Sequence, residues 1–532
     1  MNKILLLLAS FAIMCFSPLT YGQISLGTAG NFALFTTTGA VSNIGTSQIT
    51  GDVGTNNGAV TNFGNVDGVM HNGNGATASA AADLTIAANL INATPNTGAL
   101  APLLGNGQTI TPGVYSIGSA ASMNGILTLD GAGNTNPLFI IKIGGGLSAA
   151  ANTQVLLTNG AVACNVFWKV EGLVELAANT SMKGNVIANN AAIVLNTGVR
   201  IEGRALSTTG AITVSNVSVR KPLGCGVPQL TGPVAPNLKS VVCYTIFSAN
   251  GAVTNTGTTF VTGDVGTNVG LTTGFQASNV TGTIHPSPDP STAQAAVDLA
   301  GAYTYIDGLA HDIQLLFPAT FGNGLILTPH TYLLNEATVH TGTVFLDAQN
   351  NADAVFVIKI VGAFSSSTAA NVVLLNGAQA KNVFWLVKGA TDLSTNYVLK
   401  GTLIGHNGAV TVNTGTSIEG RVLSTSGAIS TFGISAQMTP GCELLGTDSS
   451  TVATKAATFY PNPFSTVLNV KMEDLNGGST LTIYNAAGTK VFDKVLSAKT
   501  TSLSMNLPAG VYFYQMVGKN GAKQTGKLIA KP

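Results

Sequence analysis

The 532-residue chain is short of charge. Asp, Glu, Lys and Arg make up 8% of it and the formal net charge is +1, whereas about a quarter of an ordinary globular chain is charged. A nucleic-acid binder needs a basic stripe, which so few cations cannot build. Long hydrophobic runs are missing too: beyond the first twenty residues none approaches the roughly 18 needed to span a bilayer. Although 45% of residues are hydrophobic and the mean hydropathy is +0.36, Ala, Val, Ile and Leu are diluted everywhere by Gly, Thr, Asn and Ser. That excludes a transporter, and it does not fit a disordered chain, which pairs low hydrophobicity with high charge.

Catalytic groupings are equally sparse. Gly73-Asn74-Gly75 and Gly144-Gly145-Gly146 lack the following Lys-Ser or Lys-Thr of a phosphate loop. The acids stand singly, and the histidines form no His-x-x-x-His pair and show no partner between the two halves of the chain. Asp52 and Asp264 sit in Gly-Asp-Val-Gly turns and read as acceptors for their own backbone. Glu202 and Arg204, like Glu419 and Arg421, stand two apart on a strand and read as structural ion pairs. Trp168 and Trp385 lie mid-strand among apolar residues and read as core. The expectation is a protein that is not an enzyme, with no metal and no cofactor.

What is present is an address, a duplication and a tail. Lys3, the apolar run Ile4 to Phe16 and the small-residue site before Gln23 form a secretory leader over 1–22. Four cysteines follow it, Cys164, Cys225, Cys243 and Cys442, which allows three disulfide pairings in an exported protein. Cys243 and Cys442 lie near the two ends of one segment, which favours a staple between them. About 150 residues per domain suggests three or four domains. Thr50-Gly51-Asp52-Val53-Gly54 recurs as Thr262-Gly263-Asp264-Val265-Gly266, an offset of 212. Asn165-Val166-Phe167-Trp168 recurs as Asn382-Val383-Phe384-Trp385, and Ile201-Glu202-Gly203-Arg204 as Ile418-Glu419-Gly420-Arg421, both at 217. Two units therefore span 24–222 and 238–442, joined by a Pro/Gly linker over 223–237; a further linker covers 443–454 and a separate domain 455–532.

Inside each unit, short β-rich runs alternate with small-residue corners such as Asn376-Gly377-Ala378 and Asn407-Gly408-Ala409. Gly and Asn accept positive φ, so such corners turn the chain without strain. Look-alike corners that stack predict a β-solenoid, each coil burying its inner face on the next. Ala76 to Asn92 and Ser291 to Asp312 break the pattern. In the second, Ala295, Leu299, Ala302, Tyr303, Ile306 and Leu309 share one helical face with Asp298 and Asp307 off it, which predicts a long helix alongside each solenoid. The fold class is thus mainly β, two tandem β-solenoids each with a helix, plus a small C-terminal β-sandwich indicated by alternating runs such as Val511-Tyr512-Phe513-Tyr514.

The tail carries nine of the chain's 23 Lys and Arg residues. Phe459-Tyr460-Pro461-Asn462-Pro463-Phe464, Ile483-Tyr484-Asn485-Ala486-Ala487-Gly488 and Leu507-Pro508-Ala509-Gly510-Val511-Tyr512 resemble the C-terminal sorting domain of the type IX secretion system. The resemblance implies that secretion machinery as a partner, and an extracellular or surface-attached product.

The two units resemble the ice-binding protein family. In the first unit the resemblance is carried by Leu26-Gly27-Thr28-Ala29-Gly30-Asn31-Phe32, Thr50-Gly51-Asp52-Val53-Gly54, Phe139-Ile140-Ile141-Lys142-Ile143-Gly144 and Cys164-Asn165-Val166-Phe167-Trp168. Leu195-Asn196-Thr197-Gly198 and Gly203-Arg204-Ala205-Leu206 complete it, and the second unit repeats most of the set, with Lys381 at the place of Cys164. The resemblance implies a monomer whose partner is the surface of an ice crystal. Parallel strands stack about 4.8 Å apart, near the scale of the water lattice, so a flat row of Thr or Asn could hold ordered water from which charge should be absent. The family's motif, Thr-(Ala/Gly)-x-(Thr/Asn), falls in the second unit at Thr256-Gly257-Thr258-Thr259 and Thr368-Ala369-Ala370-Asn371. Near matches are Thr341-Gly342-Thr343-Val344 and Thr414-Gly415-Thr416-Ser417. It implies an ice-contact set of Thr256, Thr258, Thr259, Thr341, Thr343, Thr368, Asn371, Thr414, Thr416 and Ser417. At the matching places of the first unit stand Ile44, Asn124, Ile126, Val199 and Arg200, so the second unit is expected to carry most of the activity. The rival reading is a surface adhesin or glycan-binding solenoid, for which exposed aromatics are few.

Overall fold

The computed structural model describes residues 24–223, 229–287, 289–439, 442, 457–472, 479–518 and 523–531. The leader over 1–22, residues 224–228 of the first linker with Cys225 among them, and the linker over 443–454 lie outside the described residues. Contact density divides the chain at Cys442.

The larger unit holds two copies of one plan, here solenoid 1 and solenoid 2. Its strand pairs are parallel, and each coil lies along three sheet faces, two of them joined through the long strands into one 14-stranded network and the other eight strands wide. In solenoid 1 one sheet runs Met70–Asn72, Asp52–Asn57, Phe32–Thr38, then the second halves of Arg200–Ser207 and Ser181–Ala188, then Val166–Val170, Phe139–Ile143, Gly113–Ile117 and Gly98–Ala99. The first strand of the chain therefore pairs with the last coil, Leu34 opposite Ala205. The chain winds from there to one end of the stack. Helix α1, Gly75–Ala93, then carries it back along the coils to the other end, a run of about 28 Å at 1.5 Å per residue. Solenoid 2 repeats this path with helix α2, Pro290–Gly308.

The helices are apolar on the side they bury. Leu84, Ala88 and Ile91 of α1 pack on Val114, Ile140, Phe167, Ile187 and Leu206, one outward residue from each of successive coils. Leu299, Ala302 and Ile306 of α2 meet Val357, Phe384, Leu386, Ile404 and Leu423 in the same way. Lysines at equivalent places close both C-termini: Lys359 Nζ donates to the carbonyls of Asp307 and Leu309, each at 2.7 Å, and Lys142 Nζ to those of Asn92 and Thr94. A cation there satisfies orphan carbonyls and faces the negative end of the helix dipole. Asp298, placed off the packing face by its spacing, is in fact buried, because Ser240 donates to it from both Oγ and backbone N.

The interior of each solenoid is a column of Val, Ile, Leu and Phe. Trp168 and Trp385 lie within it, and each indole donates 2.9 Å to a backbone carbonyl, of Lys183 and Lys400. The expected Glu–Arg pairs do not form. Gly203, with φ of 155°, bends the strand between Glu202 and Arg204 and sends them to different sheets. Glu202 accepts from Lys183 and Arg220. Arg204 is buried and clips the carbonyl of Gly30, at 2.7 and 2.9 Å, to the last coil. Arg421 does the same to Val242 at 2.8 Å. Burial pushes both guanidinium groups down to about 10. Cys243 and Cys442 are disulfide-bonded with Cα atoms 4.8 Å apart, joining the first turn of solenoid 2 to the end of its last coil.

The smaller unit contains a three-stranded antiparallel sheet, Ala457–Tyr460, Val467–Met472 and Thr500–Ser504, and a four-stranded one built from Lys490–Leu496, Ser479–Asn485, Gly510–Gly518 and Lys523–Ala530. They share one core around Leu468, Leu481, Leu503 and Leu528.

Candidate functional site

Of the three sheets in each solenoid, one is covered by the helix. A second, eight strands wide, is open to water and has no helix on it. Its outer surface is built by three residues of each coil, followed by a corner into the third sheet.

The corner explains the sequence motif. At the same place in successive coils of solenoid 2, Asn323, Gly342, Ala369, Asn396, Gly415, Gly433 and Gly257 have φ between 53° and 84°. That is left-handed backbone, which favours Gly and Asn and is costly for other residues. The second motif position is therefore a backbone requirement. The position before it ends the flat sheet pointing outward. In the coils of Ala369, Asn396, Gly415 and Gly433 the position after it turns into the core and the next starts the third sheet pointing outward. After Gly342 the corner is one residue shorter, so Thr343 points outward and Val344 is buried.

Four rows of solenoid 2 follow. Ala337, Ala363, Ala390, Ala409, Ala428 and Ala252 form the first, stacked by backbone bonds such as Val410 N to Ala428 O at 2.9 Å. The second is Val339, Ser365, Asp392, Thr411, Ser430 and Thr254, in continuous register. The third, just before the corner, is Thr341, Thr368, Thr395, Thr414, Phe432 and Thr256; bonds such as Asn396 N to Thr414 O at 2.9 Å hold it together. The fourth, just past the corner, is Thr343, Asn371, Val398, Ser417, Ser435 and Phe260.

Most of the sequence-derived set lands here. Thr256, Thr341, Thr368 and Thr414 lie in the third row, and Thr343, Asn371 and Ser417 in the fourth; Thr256, Thr368, Thr414 and Ser417 are exposed, and Thr341, Thr343 and Asn371 are half-buried. Two members are corrections. Thr416 occupies the inward third position and is buried, its hydroxyl donating to Ser394 O at 3.2 Å. Thr259 is buried too, because the corner after Thr256 has one extra residue. That residue, Thr258, is exposed, while Thr259 turns in to donate to Asn255 Oδ1 at 2.6 Å and leaves Phe260 in the fourth row. Thr395 is exposed in the third row although it falls outside the Thr-(Ala/Gly) motif, because Asn396 holds the second position. Asn tolerates positive φ as Gly does, and that equivalence was the available signal. The surface also carries a charge, against the expectation of none: Asp392, exposed in the second row and held by Asn413 Nδ2 at 2.8 Å.

Solenoid 1 has the same scaffold and a different surface. Its corners are left-handed at Asn106, Gly125, Asn152, Asn179, Gly198, Asn216 and Gly45, with φ of 46° to 79°. The row before the corner reads Asn124, Ala151, Ala178, Thr197, Ser215 and Ile44, and Ile44 is 61% exposed. The row past it reads Ile126, Gln154, Ser181, Arg200, Ser218 and Gln48. Leu173 interrupts the small-residue row and is 47% exposed. Glu175 stands where solenoid 2 has Asp392.

Titratable groups elsewhere have structural duties. His71 and His285 are partners between the two solenoids after all, each beside the Asp of its Gly-Asp-Val-Gly turn. Those aspartates accept from the next coil rather than from their own turn: Asp52 from Val69 N at 2.9 Å, Asp264 from Thr283 N at 2.8 Å. His285 also meets Asp289, the N-cap of α2, at 2.9 Å, and Ser291 at 3.1 Å. Its pKa is raised, first by the bond to Asp264, and Asp289 is held down to about 2, first by the bond to His285. The arrangement ties a helix start to the end coil. Among the described residues no group of three or more His, Cys, Asp or Glu could hold a metal ion, and no helix is long and apolar enough to cross a membrane.

Fold and surface together define a class: a β-solenoid that presents one flat, hydroxyl-rich sheet with a single carboxylate on it. The chain belongs to the ice-binding-like family, whose pattern matches residues 35–220 and 247–435, and residues 458–531 match the secretion system C-terminal sorting domain. An ice-binding protein from Nostoc sp. (strain HG1) is 40% identical over 207 residues, which is 37% of this chain and 76% of that protein. One from Flavobacterium frigoris (strain PS1) is 28% identical over 222 residues, 38% of this chain and 78% of its own. The crystal structure of an ice-binding protein from an Antarctic Flavobacteriaceae bacterium covers 80% of this chain and all of its own, with 71% identity and a TM-score of 0.78.

Proposed function

We propose that this is an exported ice-binding protein that adsorbs to ice through the flat sheet of solenoid 2. The observation that carries the proposal is the four-row array: hydroxyls and methyls at strand spacing over six coils, interrupted by Phe432 and Phe260 toward one end and carrying one charge. Six coils at about 4.8 Å, and side chains about 6.8 Å apart along each strand, give a contact area on the order of 24 by 14 Å. Ice offers only a periodic lattice of water. Threonine hydroxyls can share in that lattice while their methyls, and the alanine row, keep the rest of the hydration weak. Adsorbed protein pins the growing front, which must then curve, and growth stops without any reaction.

The binding set is Thr256, Thr258, Thr341, Thr343, Thr368, Thr395, Asn371, Thr414 and Ser417. Solenoid 1, with Ile44, Leu173 and Arg200 projecting from or beside its flat sheet, is the weaker partner. The domain plan is a leader over 1–22, solenoids over 24–222 and 238–442, and a sandwich over 455–532 that serves type IX export. The product is extracellular and monomeric. Thermal hysteresis and uptake into a slowly growing ice hemisphere test the reading. Thr368→Tyr with Thr395→Tyr should abolish most of the hysteresis; full activity in that variant would refute the assigned surface.

A further inference from the structure

The two solenoids meet end to end, and the meeting has a polar key. Asp67, in the end coil of solenoid 1, is buried against solenoid 2. Its carboxylate accepts from Tyr332 Oη at 2.6 Å and from Thr328 Oγ1 at 2.7 Å. Beside it, Asn65 makes a two-way bond with the backbone of Phe317: its Nδ2 donates to the carbonyl and its Oδ1 accepts from the N–H, both at 2.9 Å. An acid buried between a phenol and a hydroxyl is costly unless both bonds form, so the fit is selective for an end that offers both donors.

The molecule has two further ends of the same kinds. Solenoid 1 ends, on its far side, in a coil where Tyr115 Oη donates to Thr111 O at 3.0 Å; in solenoid 2 Tyr332 Oη lies 2.6 Å from the equivalent carbonyl, that of Thr328, while its one proton goes to Asp67. Tyr332 is buried by the joint, whereas Tyr115 is half-exposed. Solenoid 2 ends in the coil equivalent to that of Asp67: Thr50 bridges Asp67 as Thr262 pairs with Thr281. Asn279 keeps the place of Asn65, but Thr281, exposed, stands where the acid would be. Both free ends carry bare apolar side chains, Leu103 on one and Val269 and Leu271 on the other.

We infer that Asp67 is the specificity-determining residue of the solenoid joint. The two free ends resemble the halves of that joint, with Thr281 in place of the acid and Gly113 in place of His330, which contacts Thr328 at 3.1 Å; the partner they would fit once the acid is restored is a second copy of this chain. Thr281 in place of an acid is what stops the chain from growing head to tail. An interface between unlike ends does not close on itself, so once enabled it would build open chains. The inference is independent of ice binding.

Sedimentation velocity of the full chain tests it. The natural chain should sediment as one species at every concentration. Thr281→Asp, a change at an exposed position, should give multimers that lengthen with concentration, and adding Tyr115→Phe to it should return the single species. A Thr281→Asp chain that stays single, or multimers that survive Tyr115→Phe, would overturn the inference. Asp67→Thr, the residue of the sister end, should loosen the joint and raise the radius of gyration by X-ray scattering; an unchanged curve would remove Asp67 from its role.

Discussion

Solenoids 1 and 2 share coil count, corner geometry, helix, buried arginine clip and tryptophan, and differ in what they show to water on one sheet. The left-handed corner ladder is complete in both, so the backbone platform is not what separates them. The separation lies in side chains that the platform does not dictate: Thr256 against Ile44, Ala390 against Leu173, Ser417 against Arg200. Fold and binding surface are thus specified by different residues of the same coil, inward ones for the first and outward ones for the second. A duplicated solenoid can change the second without disturbing the first.

The sharpest way to break this comparison is to roughen both surfaces in parallel. Thr368→Tyr with Thr395→Tyr should remove most of the thermal hysteresis, whereas Ala151→Tyr with Ala178→Tyr, at the equivalent row of solenoid 1, should remove little. Equal losses would mean that the two sheets contribute alike. Next in size is a stability difference. The Cys243–Cys442 bond closes a loop of 199 residues, and in the chain-entropy account such a cross-link stabilises by about 5 kcal/mol. Calorimetry on a Cys243→Ser, Cys442→Ser chain should show the transition of solenoid 2 move down while that of solenoid 1 stays. A smaller gain is expected from repair: Ile44→Thr with Arg200→Ser should raise the hysteresis of the whole chain modestly, by giving solenoid 1 the residue types of its sister.

How much of this was legible in the sequence depends on which constraint each residue serves. Corners and inner columns repeat with the chain, so the duplication disclosed the solenoids and the helices that break their rhythm. The surface was harder, because outward direction depends on corner length. One additional residue sends Thr259 inward and Phe260 outward, and nothing in Thr256-Gly257-Thr258-Thr259 announces it. The Glu202–Arg204 pairing failed because Gly203 is a bend, which turns a period-two argument into its opposite. The histidine pair was hidden because Asp52 and Asp264 are offset by 212 while His71 and His285 are offset by 214, so the loops between them differ in length. Asp392 is legible only once register shows which row it joins.

The smallest effect concerns the helix starts, where the two solenoids also diverge. Helix α1 is capped by Asn74, which receives the backbone N–H of Thr77 at 3.1 Å and holds His71 Nδ1 at 2.9 Å. Helix α2 is capped by Asp289, so His285 lies between two carboxylates. The raised pKa of His285 means that the folded chain binds the proton more tightly than the unfolded one. Its contribution is therefore complete below the unfolded value, near 6.5, and is lost as pH rises through the higher folded value. Asp289, held down to about 2, acts oppositely: its contribution is present above about 3.9, the ordinary Asp value, and fades toward pH 2. Solenoid 2 should then be at its most stable between about pH 4 and 6.5. A calorimetric pH series should show its transition falling above that window, and His285→Asn should flatten the fall. A decline that persists in His285→Asn would assign it to another group and leave the two helix starts equivalent.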